Sequence, residues 1–240
     1  MVAVVAALFD ETWELIRRLE IDKSSPVTHY RGKISGVEIA LLLVKPGFRK
    51  KKEFLRWLQS GRFERLINIG LAGALRNDLS LGHVCPIGRV SHGKHLFELP
   101  QSHQRAPEGA FHVIQTDSPV FSYDEKEDLR LRSGADLVDM ESGTLLELTT
   151  RPDQNKDELQ PEIIKIIGDA MGDERFLGRE QAFRGWFSTF GWRHKLKIAR
   201  EVGLSFFPLY FRKRKLQRII FSALLNALAH PPEPPSGGAP

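Results

Sequence analysis

Cysteine is nearly absent: Cys85 stands alone among 240 residues, so no disulfide forms within the chain and a reducing, cytoplasmic setting is the simple reading. One thiol brings no companion ligands for a metal, and Cys85 reads as a packed residue. No apolar run approaches the ~20 residues that cross a bilayer. The start, MVAVVAALFDE, lacks a basic leader and is stopped by two acids, so it reads as a buried first strand, not a secretory signal. Internal repeats are missing too. The terminal PPEPPSGGAP, residues 231–240, is too rich in proline and glycine to pack and reads as a disordered tail.

What is present suits one domain over residues 1–230. The chain is 41% hydrophobic and 27% charged, enough for a full core under a soluble surface. The net charge of +5 is gathered in two clusters, Arg49-Lys50-Lys51-Lys52 and Arg212-Lys213-Arg214-Lys215 with Arg218. Such clusters suit phosphate, nucleic acid or anionic lipid, but a solvated helix face explains them more simply. No recognition motif accompanies them, and nucleic acid is set aside as a partner.

Along the chain, short β-branched runs alternate with helical patterns. VAVVAALF (2–9) reads as a strand buried on both faces. ETWELIRRLE is helical by its spacing, and THYRGKISGVEIALLLVKPG reads as a hairpin with a Ser-Gly turn. KKEFLRWLQSG is a helix stopped by Gly61. ERLINIGLAGAL (64–75) reads as a strand entering a Gly-rich turn, LGHVCPIGRVSH as a strand, and residues 91–110 as a surface loop. AFHVIQTDSPVF (110–121) is a strand, YDEKEDLRLRSG a helix closed by Gly134, ADLVDM a strand and ESGTLLELTT a helix. After a polar linker, IIKIIGDAMGDE (163–174) is the last buried strand. Residues 175–230 read as helical, divergent and basic. The pattern predicts an α/β fold with a mostly parallel central sheet flanked by helices.

Ligands in such folds sit at the carboxyl ends of strands. Four ends carry chemistry: Asp10-Glu11, Gly70-Leu71-Ala72-Gly73, Asp139-Met140-Glu141 and Gly168-Asp169. The stretch VDMESG is the most pointed, because an unpartnered buried carboxylate costs several kcal/mol, ~3 or more, and is rarely there for packing. Each signal has a plain structural alternative. Glu11 suits a helix N-terminus, Asp169 a helix cap, and the glycines any tight turn.

Taken in order, AALFDETWEL, GKISGVEIALLL, INIGLAGAL with LSLGHV, VDMES and IIGDA resemble the purine and uridine phosphorylase superfamily, nearest to the nucleosidases of 5′-methylthioadenosine and S-adenosylhomocysteine. The resemblance runs from residue 2 to about 174. It implies a nucleoside phosphorylase/nucleosidase-like fold and cleavage of an N-glycosidic bond in a purine, adenine-bearing nucleoside. It implies Asp169 as the acid that protonates N7 of the leaving base and Glu11 as the base that deprotonates water. Glu141 would accept the ribose hydroxyls, Met140 would pack on the sugar, and Val138 and Asp139 would line the pocket. Ala72 and Gly73 would offer backbone to the ligand, and Phe121, or else Val120, would stack on the purine. No cofactor or metal is implied, and a homo-oligomer is, with Trp57, Trp186 and Trp192 as candidate interface residues.

The superfamily's phosphorylases carry an arginine where this chain has Asn68, a hydroxyl where it has Leu71, and a Gly-Asp-Pro-type loop where it has LFDE. Hydrolysis is therefore preferred to phosphorolysis, although the nucleosidases have serine at Leu71. Three further readings stay open. A phosphorylase is one. Another is a membrane-associated member acting on an adenosyl-lipid (hopanoid) precursor, with FFPLYFRKRKLQRIIFSALLNALAH making peripheral contact with anionic lipid. The last is a nucleoside-binding protein without catalysis. His92, His95 and His103 lack cysteines and zinc spacing, and Asp169 with Asp173 and Glu174 resembles a cation site only superficially, so neither is read as a metal centre.

Overall fold

The first strand, β1 (Val2–Ala6), is buried at all five positions, as a strand covered on both faces must be. In the computed structural model, which describes residues 1–9, 11–99, 110–150, 159–171 and 206–231, it lies at the centre of one sheet. β4 (Val37–Leu43) and β5 (Arg65–Ala74) flank it in parallel, and β10 (Pro161–Asp169) runs parallel along β5. Asp10, residues 151–158 of the expected polar linker, residues 175–205 of the part expected to be helical, the residues past 231, His103, Asp173, Glu174, Trp186 and Trp192 lie outside the described residues.

Hairpins add antiparallel strands to this parallel centre. β3 (His29–Ile34) turns into β4 through Ser35 and Gly36, both at positive φ (49° and 81°), as a two-residue hairpin turn requires. β2 (Glu20–Asp22) extends that edge. On the other side β6 (Val84–His92) pairs antiparallel with β10 and parallel with β8 (Phe111–Gln115). β9 (Leu137–Asp139) follows β8 in parallel and returns antiparallel to the end of β5. Strands β5, β10, β6, β8 and β9 thus close a ring, and their ends converge.

Alternate residues of β1 point into two cores. One holds Ala3 and Val5 with Phe54, Trp57 and Leu58 of α2 (Lys51–Ser60) and Leu145 and Leu146 of α4 (Ser142–Thr149). The other holds Val2, Val4 and Ala6 with Leu15 and Ile16 of α1 (Trp13–Ile16). Leu216, Ile220 and Leu224 of the final helix α5 (Phe206–Ala229) join this second core. Arg214, Lys215 and Arg218 face outward from it, so the second basic cluster is, where described, the solvated side of a core helix. Among the described residues no helix is long and apolar enough to cross a membrane.

Several elements differ from the sequence expectation. The Gly-rich stretch is not a turn: β5 stays paired through Ala74, because Gly73 lets Val138 of β9 approach closely, within 3.1 Å of where a Cβ would sit. The loop over 91–110 contains a strand, β7 (His95–Glu98), turned back on β6 through Gly93 at φ 57°. The first helix ends at Ile16, leaving Trp13 exposed, since Glu20–Asp22 pairs with β3. Trp57 is fully buried in the core and is not an interface residue of the surface. Gly61 follows α2 in an extended conformation, not a left-handed one.

Candidate active site

Glu11 lies just beyond β1, buried, with its carboxylate reaching the backbone of β5. Oε1 accepts from the Leu71 amide at 3.4 Å and Oε2 from the Leu8 amide at 3.3 Å. Oε2 lies 3.5 Å from where a Cβ on Gly70 would sit, so the carboxylate rests in contact range of this glycine. Burial is the main cause that pushes Glu11 up from 4.5 to about 8, and the nearby Glu141 adds to it.

Glu141 arrives from the opposite side, at the N-cap of α4 after β9. Its Oε1 accepts from the Gly47 amide at 3.2 Å, in the turn that follows β4. Met140 comes to the same turn, its Cε 3.9 Å from where a Cβ on Gly47 would sit. Burial and then Asp139 push Glu141 up to about 7.

Asp139 answers a different need. Its side chain is closed to solvent and bonds Lys165 Nζ at 2.7 Å, with Lys165 itself 1% exposed. The Ser142 amide donates to both carboxylate oxygens, at 3.4 and 3.2 Å, and the Ser142 hydroxyl donates to one of them. The pocket-lining place expected for this carboxylate is therefore not where it lies: it caps α4 and neutralises a buried ammonium. Lys165 also acts on Glu141 and Glu11, holding both lower than burial alone would. Asp139 and Lys165 cancel, and burial presses Glu11 and Glu141 toward their protonated forms, each resisting ionisation in this dry cluster.

Asp169 ends β10 in register with Gly73, and Gly73 is in register with Val138. This brings the expected acid, the glycine backbone and Val138 to one place, with Ala72 one residue earlier on β5. Asp169 Oδ2 bonds Lys126 Nζ at 2.6 Å. Val120 packs with Val138 and Leu75 in a small apolar cluster. Phe121 is partly buried directly before Ser122, whose side chain caps α3 (Tyr123–Ser133) by accepting from the Glu125 amide.

Gly47, Lys126 and Lys165 are participants that the sequence did not announce. A lysine in a polar helix and another in a β-branched run carry no local sign of their partners, which lie 43 and 26 residues away. Asn68 sits on β5; its Nδ2 donates to the Val5 carbonyl at 3.2 Å, and its buried Oδ1 has no partner among the described residues. His92 bonds Glu147 at 2.8 Å and lies 3.3 Å from Gln115, a network that braces α4. Among the described residues no group of three metal-ligating side chains exists.

No family model matches the chain, and no curated protein matches it in sequence. Solved structures do match. The 5′-methylthioadenosine/S-adenosylhomocysteine nucleosidase of S. pneumoniae aligns at a TM-score of 0.59, covering 74% of this chain and 90% of that one, at 16% identity. The fold is a nucleosidase fold. A mutant of the futalosine hydrolase of Helicobacter pylori aligns at 0.63, covering 94% and 98%, at 13% identity. A point mutant of the Helicobacter pylori methylthioadenosine nucleosidase, crystallised with 5′-methylthioadenosine in its active site, aligns at 0.63 with the same coverage and 14% identity. At such identities the likeness is one of nucleosidase fold, and the chemistry rests on this chain's own residues.

Proposed function

We propose that the protein hydrolyses the N-glycosidic bond of a purine nucleoside, with adenine as the base and water as the nucleophile. The observation that carries this is the Glu11 carboxylate on the amides of Leu8 and Leu71. Those donors would otherwise suit phosphate. A carboxylate placed on them repels an anion and holds water instead, and the arginine that would bring phosphate in is replaced by Asn68.

Cleavage leaves positive charge on the ribose and an electron pair on the departing base. Glu141 accepts the ribose hydroxyls and, when ionised, favours the cationic sugar. Glu11 takes the proton of the attacking water as oxygen bonds to the anomeric carbon. Asp169 gives a proton to N7, so that the base leaves neutral. Met140 covers the sugar, Val138 and the Ala72–Gly73 backbone bound the base, and Phe121 stacks on it. Lys165 and Asp139 keep Glu141 and α4 in place.

The solved neighbours are nucleosidases of methylthioadenosine and S-adenosylhomocysteine and a hydrolase of futalosine, which supports a nucleoside of this kind as the substrate. The packing of α5 into the core weighs against a tail laid on a membrane. Turnover in ¹⁸O-labelled water tests the nucleophile. Label on the anomeric hydroxyl of the released sugar is expected; unlabelled sugar phosphate formed with added phosphate would contradict hydrolysis.

A further inference from the structure

Helix α3 is polar over almost its whole surface, and its one buried residue is a lysine. Lys126 is 1% exposed, with its ammonium 2.6 Å from Asp169 Oδ2 and 3.3 Å from the Ala170 carbonyl. Its stem runs alongside Gly73, 3.8 Å from where a Cβ there would lie. The helix that carries it is fixed at both ends, by the Ser122 cap and by Gly134 at φ 64°. A leucine or methionine would fill this position as well for packing, and a buried ion pair is seldom more stable than an apolar replacement. The ammonium is there for the carboxylate.

Building on the nucleosidase reading, we infer that Lys126 is the positioning residue for Asp169 and the source of the proton that Asp169 delivers to the leaving base. The N–H bond of the ammonium breaks as the Asp169 O–H bond forms, and that O–H bond breaks as N7–H forms. The glycosidic electron pair stays with the base, Lys126 is left as a neutral amine, and solvent returns its proton after the products depart. The described charged groups on the neighbouring elements have other partners or face solvent. Asp139 on β9 is held by Lys165, Arg76 beyond β5 bonds Asp78 and Asp136, and Glu125, Glu127 and Arg130 on α3 are exposed.

The test compares wild type, Lys126→Met and Asp169→Asn with methylthioadenosine, S-adenosylhomocysteine and adenosine, measuring kcat and KM from pH 5 to 10. Lys126→Met is expected to keep the fold by thermal melting, to change KM less than about threefold, and to lower kcat about 100-fold or more, the scale of lost acid catalysis. The alkaline limb of its kcat profile should move to lower pH. A kcat like wild type, or a loss equal at every pH with the profile unchanged, would overturn the inference and leave Lys126 a strut. Side-chain ¹⁵N NMR of the lysines reads the pair without turnover, and the Lys126 signal should move in Asp169→Asn. A pair seen by NMR in a protein that cleaves no nucleoside would overturn the enzyme reading, whereas turnover indifferent to Lys126→Met would overturn this inference alone.

Discussion

Lys165 and Asp139 form a 2.7 Å ion pair with neither side chain open to solvent, and the pair joins β10 to the end of β9 beneath Glu141. Removing one partner strands the other charge in the core. Asp139→Ala should therefore destabilise the fold by about 3–5 kcal/mol, read by urea or thermal unfolding. The double variant Asp139→Leu with Lys165→Met should lose much less stability than Asp139→Ala, because no charge is left behind.

Glu11 binds its proton more tightly when folded, at about 8, than an ordinary glutamate at 4.5. The stability that this proton linkage confers is complete below about pH 4.5 and drains as pH rises through about 8. Glu11→Gln has no such loss. It should melt at higher temperature than wild type at pH 8, by a difference of a few kcal/mol at about 1.4 per pKa unit, while its hydrolysis is abolished. Equal melting of the two proteins at pH 8 would count against a buried, proton-holding Glu11.

The same group governs the acid limb of catalysis. As a base Glu11 must be ionised, so kcat/KM for the free enzyme should rise about tenfold per pH unit and level off near 8. Stopped assays across pH 5–9 check this.

Gly47 is at φ 69° and its amide donates to Glu141. Gly47→Ala strains the turn and withdraws that donor from the carboxylate. The expected result is a higher KM with a smaller change in kcat, and a loss of about 1 kcal/mol or more in stability.

Leu224 on α5 is 1% exposed and packs against β-strand residues of the second core. Leu224→Ala should cost about 2–5 kcal/mol. A helix resting on lipid would show no such cost, and flotation with anionic vesicles should leave the wild-type protein at the bottom of the gradient.

The strands were legible where β-branched residues run together, as in VAVVA and IIKII, and the hairpin where Ser35-Gly36 interrupts two such runs. Glu11, Glu141 and Asp169 stood out because each follows an apolar strand, and the fold buries the first two and pairs the third with Lys126. What stayed hidden was set by distant partners. Lys126 and Lys165 read as ordinary charges until the fold places Asp169 and Asp139 beside them. Asp139 looked like a ligand because its cap on Ser142 and its lysine are tertiary facts. The glycines of β5 looked like a turn because nothing local says that β9 and β10 close on that segment. Strand β7 was missed because HLFE is short and sits among histidines and glycine.

The most direct test of the account is adenine release from methylthioadenosine, S-adenosylhomocysteine and adenosine, with and without phosphate, for wild type and Asp169→Asn. Release is expected at the same rate with or without phosphate, and it should collapse in the variant. Release that requires phosphate, or that survives Asp169→Asn unchanged, would contradict it.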